Sequence, residues 1–509
     1  MKTRTAPFTR TTAFAAVCVL ALLLGLTAAV ATPARAQQNN YPTGLRAVAV
    51  GDTTVSLRWD PAARPAEVGH YQVVVDGGFE VGTTTGTTFT VTHLNVDTAY
   101  TFAVIAISPD GREGWSSVHI PVRTTGTVPP MPAHPVRMGI FTEKGSHERE
   151  FYVKNLMTSG TAARLTHLTY GYGRVTGGRC GIADTYAALE RAYPAETSVD
   201  GKADTWDQPL RGYLHQLREL KQARPGLRIL WSFGGFEQAR DWTGAQQDPA
   251  AFAASCARLI DDPRWAGLFD GIDLDMEIPE CRLAPCDLGG AAAVKPLTRA
   301  LRAALGPDRL VTVTIGHRGG GADLYGRTDL TGAAAHTDWF NVRTYDYYQS
   351  THPLQRNRPT PHAPLYSWNT DDWGRAVHHD IRGLTAQGVH PNKLVLGVPT
   401  HAWGWEGVRA KPWVGHYYAT GPASGPYELG LDDYRSIRSR CADTGELGQT
   451  AYSHCGSQFW GYDTPATVKK KMDYARQYGL GGAYLSNLRG DTANGDLSAA
   501  VERSLGPVR

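Results

Sequence analysis

The chain lacks three features, and each absence argues against a class of protein. No long basic run is present, although the net charge of the 509 residues is +3 and the pI is near 8.4, which argues against nucleic acid as the main partner. Seven cysteines occur without a C-x-x-C pair, so a zinc site is not expected. No apolar run of membrane-spanning length follows residue 31. At this length two domains or more are expected.

The first 36 residues have the pattern of a secretory signal peptide. Lys2, Arg4 and Arg10 precede an apolar stretch over 13–31, and residues 34–36 read Ala-Arg-Ala, a cleavage site of the A-x-A type. We predict a secreted, extracellular protein with no membrane contact after cleavage. The stretch is also long enough to serve as an anchor if it is kept. No oligomerisation signal is visible, so a monomer is expected.

Cys18 lies in the signal, which leaves six cysteines. An even number in an exported protein favours disulfides, and six cysteines allow many pairings. We favour the two sequence-local pairs, which leave a third long-range pair: Cys281–Cys286, Cys441–Cys455 and Cys180–Cys256.

Residues 41–125 are predicted to form an all-β sandwich. Runs that alternate or are apolar lie between turn signals at 54–60, 69–75, 88–92 and 100–108. Trp59 in an early strand, and Leu94 followed by Tyr100, resemble a fibronectin type III module with its tyrosine corner. The proline-rich stretch 126–135 is predicted to be a stiff linker.

From residue 136 to about 506, short apolar runs alternate with helical segments. The candidate strands are 136–141, 165–172, 227–233, 268–277, 310–316, 339–345, 393–399 and 481–487. Eight strand–helix repeats over this length predict an α/β fold, a closed parallel (β/α)8 TIM barrel.

The segment 268–278 holds four acids, the last being Glu277, inside an apolar run. Burying carboxylates is costly, and a chain seldom does it without a use. Because side chains alternate along a strand, Asp273, Asp275 and Glu277 share one face, about 6–7 Å apart. Mutual repulsion should raise the pKa of at least one of them into the range of a general acid. The alternatives are a calcium or magnesium site, which needs further oxygen ligands from loops, and a solvated acidic edge.

This segment fits the pattern DGxDxDxE, and the chain resembles glycoside hydrolase family 18, the chitinases and their relatives, from about Val136 onward. Similar segments lie at 139–143, 203–210, 232–235, 341–346 and 479–482. The resemblance identifies 401–457 as the small α+β insertion that walls one side of the cleft in many members. It also implies that the catalytic groups lie at the C-terminal ends of the barrel strands.

The resemblance implies hydrolysis of a β-1,4 bond next to N-acetylglucosamine, with retention through substrate assistance. Glu277 would protonate the leaving oxygen, and the substrate's acetamido oxygen would attack the anomeric carbon. Asp275 would hold the acetamido N–H, and Asp273 would share a proton with it. Tyr345 would donate its hydroxyl to the acetamido oxygen, and Asp346 would bind the sugar. No metal or organic cofactor is required.

Three further residues are candidate substrate contacts. We assign Tyr170 on the second strand, Gly235 at the cleft floor and Trp403 near the rim to substrate binding. Barrel filling is the alternative for Tyr170, and close backbone packing is the alternative for Gly235. Tyr345 could instead be a core tyrosine, and Asp346 could instead cap a helix.

The chain departs from the family pattern where sugar-contacting side chains are usual. Ser486 replaces the Trp that floors the cleavage subsite, Met276 replaces a Trp, Arg343 replaces the Met of Met-x-Tyr-Asp, and Ile140 replaces a Tyr. Residues 400–403, Thr-His-Ala-Trp, replace Phe-Tyr-Gly-Arg. An aromatic face under a sugar contributes about 1 kcal/mol or more, so these losses weaken the hold on a chitin chain.

Three functions stay open from the sequence. The chain is a secreted chitinase, a hydrolase with the same chemistry on another N-acetylglucosamine-containing glycan, or a glycan-binding protein without turnover. Retention of Glu277 favours the two enzymes. Modules of the fibronectin type usually act as spacers in secreted hydrolases, and chitin binding by this one is the lesser alternative.

Overall fold

In the computed structural model the chain forms a β-sandwich followed by a closed barrel. The structure describes residues 40–76, 79–92, 94, 96–144, 149–235, 242–276, 289–316, 329–368, 375–411 and 416–507. The predicted signal peptide, Glu277 and the Cys281–Cys286 pair lie outside these residues. None of the described helices is both long and apolar enough to cross a bilayer.

Eight strands form the sandwich. They are β1 Thr43–Val50, β2 Val55–Asp60, β3 His70–Val75, β4 Phe79–Thr84, β5 Thr88–Val91, β6 Ala99–Ile107, β7 Glu113–Ser116 and β8 Ile120–Arg123. One sheet has the order β1-β2-β5, and the other has the order β4-β3-β6-β7 with β8 paired to β6. Trp59, Tyr71 and Tyr100 fill the space between the sheets, with the rings of Trp59 and Tyr71 edge to face at 5.6 Å. The fibronectin-like sandwich predicted from Trp59 and Tyr100 is confirmed.

Eight parallel strands close the barrel. They are β9 Val136–Thr142, β10 His167–Thr176, β12 Arg228–Gly234, β13 Gly271–Met276, β14 Leu310–Ile315, β15 Trp339–Val342, β16 Leu394–Pro399 and β25 Gly482–Ser486. Each pairs with its neighbour in this order, and β25 and β10 both pair with β9, which closes the cylinder. A short strand, β11 Arg179–Gly181, extends β10 as a hairpin. The predicted (β/α)8 barrel is confirmed, with each strand within a few residues of its expected place.

Helices surround the barrel. Their bounds are Val153–Thr158, Thr161–Arg164, Gly212–Ala223, Trp242–Gln247, Pro249–Ile260, Gly289–Leu305, Leu330–Ala334, Val377–Ala386, Pro465–Gln477 and Asp496–Leu505. Local sequence sets several of the starts. Asp248 accepts a hydrogen bond from the Ala251 N–H with Pro249 at the first helical position, and Thr464 and Thr467 form a reciprocal cap.

The predicted insertion consists of two antiparallel sheets on one side of the barrel mouth, and its last strand lies past the predicted end near 457. Its strands are β17 His401–Glu406, β18 Arg409–Lys411, β19 His416–Tyr418, β20 Gly421–Pro422, β21 Leu431–Asp433, β22 Gly445–Leu447, β23 Thr450–Cys455 and β24 Gln458–Tyr462. β18 and β19 pair with each other as a two-stranded sheet, and the other six strands form the larger sheet. Helix Tyr434–Arg440 completes it, so the insertion is α+β as expected. A disulfide between Cys441 and Cys455 lies in it, and a second joins Cys180 to Cys256, as predicted.

Alternation along the barrel strands separates two cores. In β13, Ile272, Leu274 and Met276 pack outward against the helices, and Asp273 points into the barrel. The barrel interior holds a smaller apolar cluster: Met138, Ile140, Leu230, Leu310, Trp339, Tyr345, Ala363, Val395 and Tyr484. Gly271 is required by strand spacing, because a Cβ there would lie 2.2 Å from the carbonyl oxygen of Leu310.

Candidate active site

Asp273 lies at the centre of the barrel and is enclosed by hydrogen-bond donors. Ser232 Oγ donates to its Oδ2 at 2.7 Å, and Thr312 Oγ1 donates to its Oδ1 at 2.6 Å. Asn341 Nδ2 donates to Oδ1 at 3.1 Å, and Thr314 Oγ1 lies 3.3 Å from Oδ2. Three neighbouring strands, β12, β14 and β15, therefore supply the donors, which fixes the position of this carboxyl group.

The pKa of Asp273 is raised, and burial is the largest cause. The side chain is 1% exposed, and its four donors offset the loss of solvation only in part. The sequence predicted a raised pKa from repulsion between neighbouring acids, and the cause in the structure is instead desolvation.

Asp275 lies two residues further along the same face and is 1% exposed. The backbone of β12 approaches it closely. The Gly235 N–H donates to the Asp275 carbonyl oxygen at 2.9 Å, and a Cβ on Gly234 would lie 2.3 Å from that oxygen. Both glycines have φ near +80 to +110°, a region that side chains rarely adopt. The structure thus favours close packing, the alternative reading of Gly235, over a contact that recognises substrate.

Tyr345 follows β15 and lies at the mouth of the barrel, 2% exposed. Its hydroxyl accepts a hydrogen bond from the Tyr484 hydroxyl at 3.3 Å and is also bonded to the side chain of Ser486. Burial raises the pKa of Tyr345, so the phenol keeps its proton and can donate it. Burial is the largest cause that raises the pKa of Tyr484, and the charge of Asp275 adds to it.

Asp346 has a left-handed backbone, φ 61°, and its carboxylate is engaged by the insertion. His401 Nε2 lies 2.7 Å from its Oδ1, and Trp403 Nε1 donates to the same oxygen at 2.8 Å. Burial alone would raise the pKa of Asp346, but His401 and His362 outweigh it and hold that pKa well below its usual range. The carboxylate is therefore ionised, and it caps none of the helices in the described part of the chain.

A metal site is the alternative for this group, because Asp346, His362 and His401 are residue types that bind metal ions. Their ligand atoms also lie within 4.8 Å of one another. Two ligands of one tetrahedral zinc ion stand about 3.3 Å apart, given metal–ligand bonds of about 2.0–2.2 Å. The 2.7 Å between His401 Nε2 and Asp346 Oδ1 is a hydrogen-bond distance. We interpret the group as a hydrogen-bonded network.

Tyr170 is not brought to the site, which corrects its assignment to substrate binding. It is fully buried and points outward from the barrel into the helix layer, where its ring contacts Tyr213, Trp231 and Phe269. Its hydroxyl donates to the carboxylate of Glu143, which follows β9. Burial raises the pKa of Glu143 to about 7 against the effect of that hydrogen bond.

Several residues of the site were not identified from the sequence. Thr312 and Thr314 alternate with Val311 and Val313 in a fully buried strand, the same period-two pattern that revealed the aspartates. His401 carried no such pattern, because it and Asp346 are 55 residues apart and meet only through the insertion.

The departures from the family pattern lie in different surroundings, and Met276 packs outward against the helices. Ile140 is buried in the interior cluster, and Ser486 ends β25 beside Tyr345. The guanidinium carbon of Arg343 lies 5.7 Å from the centre of the Tyr345 ring. Trp403 and His401, two of the four replaced residues in segment 400–403, both bind Asp346.

Comparison with known proteins agrees with this geometry. The sequence model described as "Glycosyl hydrolases family 18" matches residues 137–491, and that of the fibronectin type III domain matches residues 40–122. Chitinase C of Streptomyces lividans is 43% identical over 453 residues, 88% of this chain and 72% of its own. Chitinase 63 of Streptomyces plicatus is 42% identical over 463 residues, 90% of this chain and 75% of its own.

A solved structure extends the comparison to the fold. The catalytic domain of psychrophilic chitinase B from Arthrobacter TAD20 superposes with a TM-score of 0.67 at 27% identity, covering 74% of this chain and 97% of that one.

Proposed function

Because the chain belongs to the glycosyl hydrolases of family 18, we propose that it is a secreted chitinase that cleaves β-1,4 bonds next to N-acetylglucosamine with retention of configuration. The chain is a glycosidase of the chitinase type. The observation that carries the proposal is the pair of buried acids on β13, Asp273 and Asp275. Tyr345 follows β15, the second strand along the barrel from β13. A buried acid pair in a cleft is expensive to maintain without catalytic use.

In the proposed mechanism Glu277, which the sequence alternation predicts to share the face of Asp275, is the general acid. It protonates the leaving oxygen while the substrate's acetamido oxygen attacks the anomeric carbon. Asp275 orients the acetamido N–H and balances the positive charge that develops. Tyr345, whose hydroxyl keeps its proton, donates to the acetamido oxygen.

Asp273 tunes the charge of Asp275. Its raised pKa allows it to take up a proton that the two acids share, so one negative charge rather than two lies beside the substrate. The four donors around Asp273 hold it close enough for that exchange and keep it from turning toward solvent.

Asp346 and Trp403 are proposed to bind the sugar from the insertion side. Trp403 is 9% exposed and fixed by its N–H bond to Asp346, so its ring edge is held at the cleft wall without further loss of side-chain freedom. Ser486 offers no ring at the usual floor position. We therefore propose weaker binding of each sugar unit and a preference for soluble chito-oligosaccharides over crystalline chitin.

The test is hydrolysis of N-acetylglucosamine tetramer to hexamer by the chain beginning near Gln37. Product anomers are read by NMR in the first minutes. The expected result is β-anomer that disappears in Glu277→Gln and persists in Glu67→Gln, a matched change of an exposed glutamate in the sandwich. Release of α-anomer would exclude the retaining mechanism. Binding without turnover in the unmodified protein would favour a glycan-binding protein, and turnover of another N-acetylglucosamine glycan alone would identify a different substrate.

A further inference from the structure

Arg382, on barrel helix Val377–Ala386, reaches into the N-terminal sandwich. Its Nε and Nη2 lie 2.9 and 2.6 Å from Asp76 Oδ2, and Nη2 also donates to the Ala99 carbonyl oxygen at 2.5 Å. Its guanidinium carbon lies 3.7 Å from the centre of the Tyr100 ring. The arginine side chain is only 3% exposed, and its partners Asp76, Ala99 and Tyr100 all belong to the sandwich.

The sandwich holds its side of this contact in a fixed geometry. Asp76 follows β3 with φ 47°, and its second oxygen, Oδ1, accepts the Thr101 N–H at 2.8 Å. Tyr100 is 1% exposed and stacks with Phe102 in the sandwich core. The acceptor and the ring are therefore set by the fold of the module and present a ready site for a guanidinium group.

Further contacts surround this ion pair. Ala386, one turn further along the same helix, packs against the sandwich core. In the linker, Met131 packs against the barrel core. The Pro129 carbonyl oxygen lies close to Gly479, since a Cβ on that glycine would be 2.3 Å from it. The stretch 126–135, which was predicted to be a stiff linker, thus lies on the barrel surface.

The same helix supports the active-site segment from its other side. Asp380 is 1% exposed, and its Oδ2 accepts the hydroxyl of Tyr347 at 2.5 Å. Tyr347 is fully buried and directly follows Asp346. A single helix therefore carries Arg382, bound to the module, and Asp380, bound to the segment that presents Tyr345 and Asp346.

We propose that the N-terminal module is a docked part of the catalytic unit rather than a spacer. Arg382, Asp76 and Tyr100 clamp it to the barrel, and the clamp braces the helix whose Asp380 positions Tyr347 and the adjacent Asp346. A buried arginine is stable only when it is paired, so separating the domains would break the pair and leave the apolar contact open to water. The bracing part of the proposal rests on the proposed function of Asp346, and the docking part does not.

Scanning calorimetry of the full chain tests the docking. We expect one unfolding transition in the unmodified protein and two separated transitions in Asp76→Asn and in Arg382→Gln. Glu67→Gln is the control, since Glu67 forms an exposed ion pair with Arg64 within the same module. Two transitions in the unmodified protein, or no difference between Asp76→Asn and Glu67→Gln, would overturn the docking. Asp76→Asn lies on the module, so it keeps the test valid even if Arg382→Gln fails to fold.

Activity on chito-oligosaccharides tests the bracing. Tyr347→Phe removes the bond to Asp380 and leaves the clamp intact, so we expect a several-fold lower kcat/KM with the single transition retained. Asp76→Asn should lower kcat/KM to a similar extent and also divide the transition. If Asp76→Asn divides the transition and leaves kcat/KM unchanged, the bracing is wrong and the docking stands. If the unmodified protein has no activity, the proposed function fails, and calorimetry still decides the docking.

Discussion

Replacing Thr312 by valine tests whether the donors around Asp273 serve catalysis. Valine matches threonine in shape, so the change removes one hydroxyl and creates no cavity. The lost bond is the shortest made to Asp273 among those the structure describes, 2.6 Å from Thr312 Oγ1 to Oδ1. The other three donors stay in place.

The size of the effect follows from the charge of the acceptor. A hydrogen bond to a charged group is worth about 1.5–3 kcal/mol, which corresponds to roughly a 10- to 100-fold change in rate. The Thr312 bond lowers the pKa of Asp273 against the effect of burial, so its removal raises that pKa further. Asp273 then holds more firmly the proton that it shares with Asp275, so that proton passes to Asp275 less readily.

The assay is kcat/KM on a chito-oligosaccharide as a function of pH. We expect Thr312→Val to lower kcat/KM by about 10-fold or more and to move the acid limb of the profile to higher pH. Thr298→Val is the control, because Thr298 is equally buried and bonds only helix carbonyls. A kcat/KM within about twofold of that control, with an unmoved acid limb, would refute the role given to Asp273.

Three further outcomes are expected. Glu143→Gln should remove a pH dependence of stability. The folded pKa of Glu143 is about 7 against an ordinary value of 4.5, so the native state binds the proton more tightly than the unfolded chain does. Stability is therefore full below the lower value and falls by about 2–3 kcal/mol as pH rises through the higher one. Urea unfolding at pH 5 and pH 8 measures the loss, and equal losses in the variant and the parent would contradict this. Trp403→Phe keeps a ring and removes the N–H bond to Asp346, so we expect kcat/KM to fall by about 10-fold, and an unchanged value would show that the indole N–H has no role. Lys471→Met removes the ion-pair partner of the fully buried Asp463 and should lower the free energy of unfolding by about 3–5 kcal/mol, as thermal unfolding would measure. Lys469→Met, at the exposed pair with Asp473, should lower it by less than about 1 kcal/mol. Similar losses in both variants would exclude a structural role for the buried pair.

The sequence alone was enough to determine the barrel, the sandwich and the acid strand. Those features depend on local periodicity: apolar runs bounded by turns, and aspartates at every second position of one strand. The alternation that places Asp273 inward and Leu274 outward is a property of any β-strand, so it required no knowledge of neighbours. The long-range disulfide Cys180–Cys256 did not follow from periodicity: it was the pair left over after two local pairs were favoured, and the structure contains it.

Which side chains meet across the fold depends on the folded chain as a whole. Tyr170 sits on the predicted strand, but its outward direction depends on the register of β10, and one residue of slip exchanges interior for exterior. The pKa of Asp273 is raised by burial rather than by its neighbouring acids, because solvation depends on every strand around it. His401 reaches Asp346, and Arg382 reaches Asp76, across separations of 55 and 306 residues. No local pattern encodes such contacts, since they exist only when the barrel, the insertion and the sandwich are folded against one another.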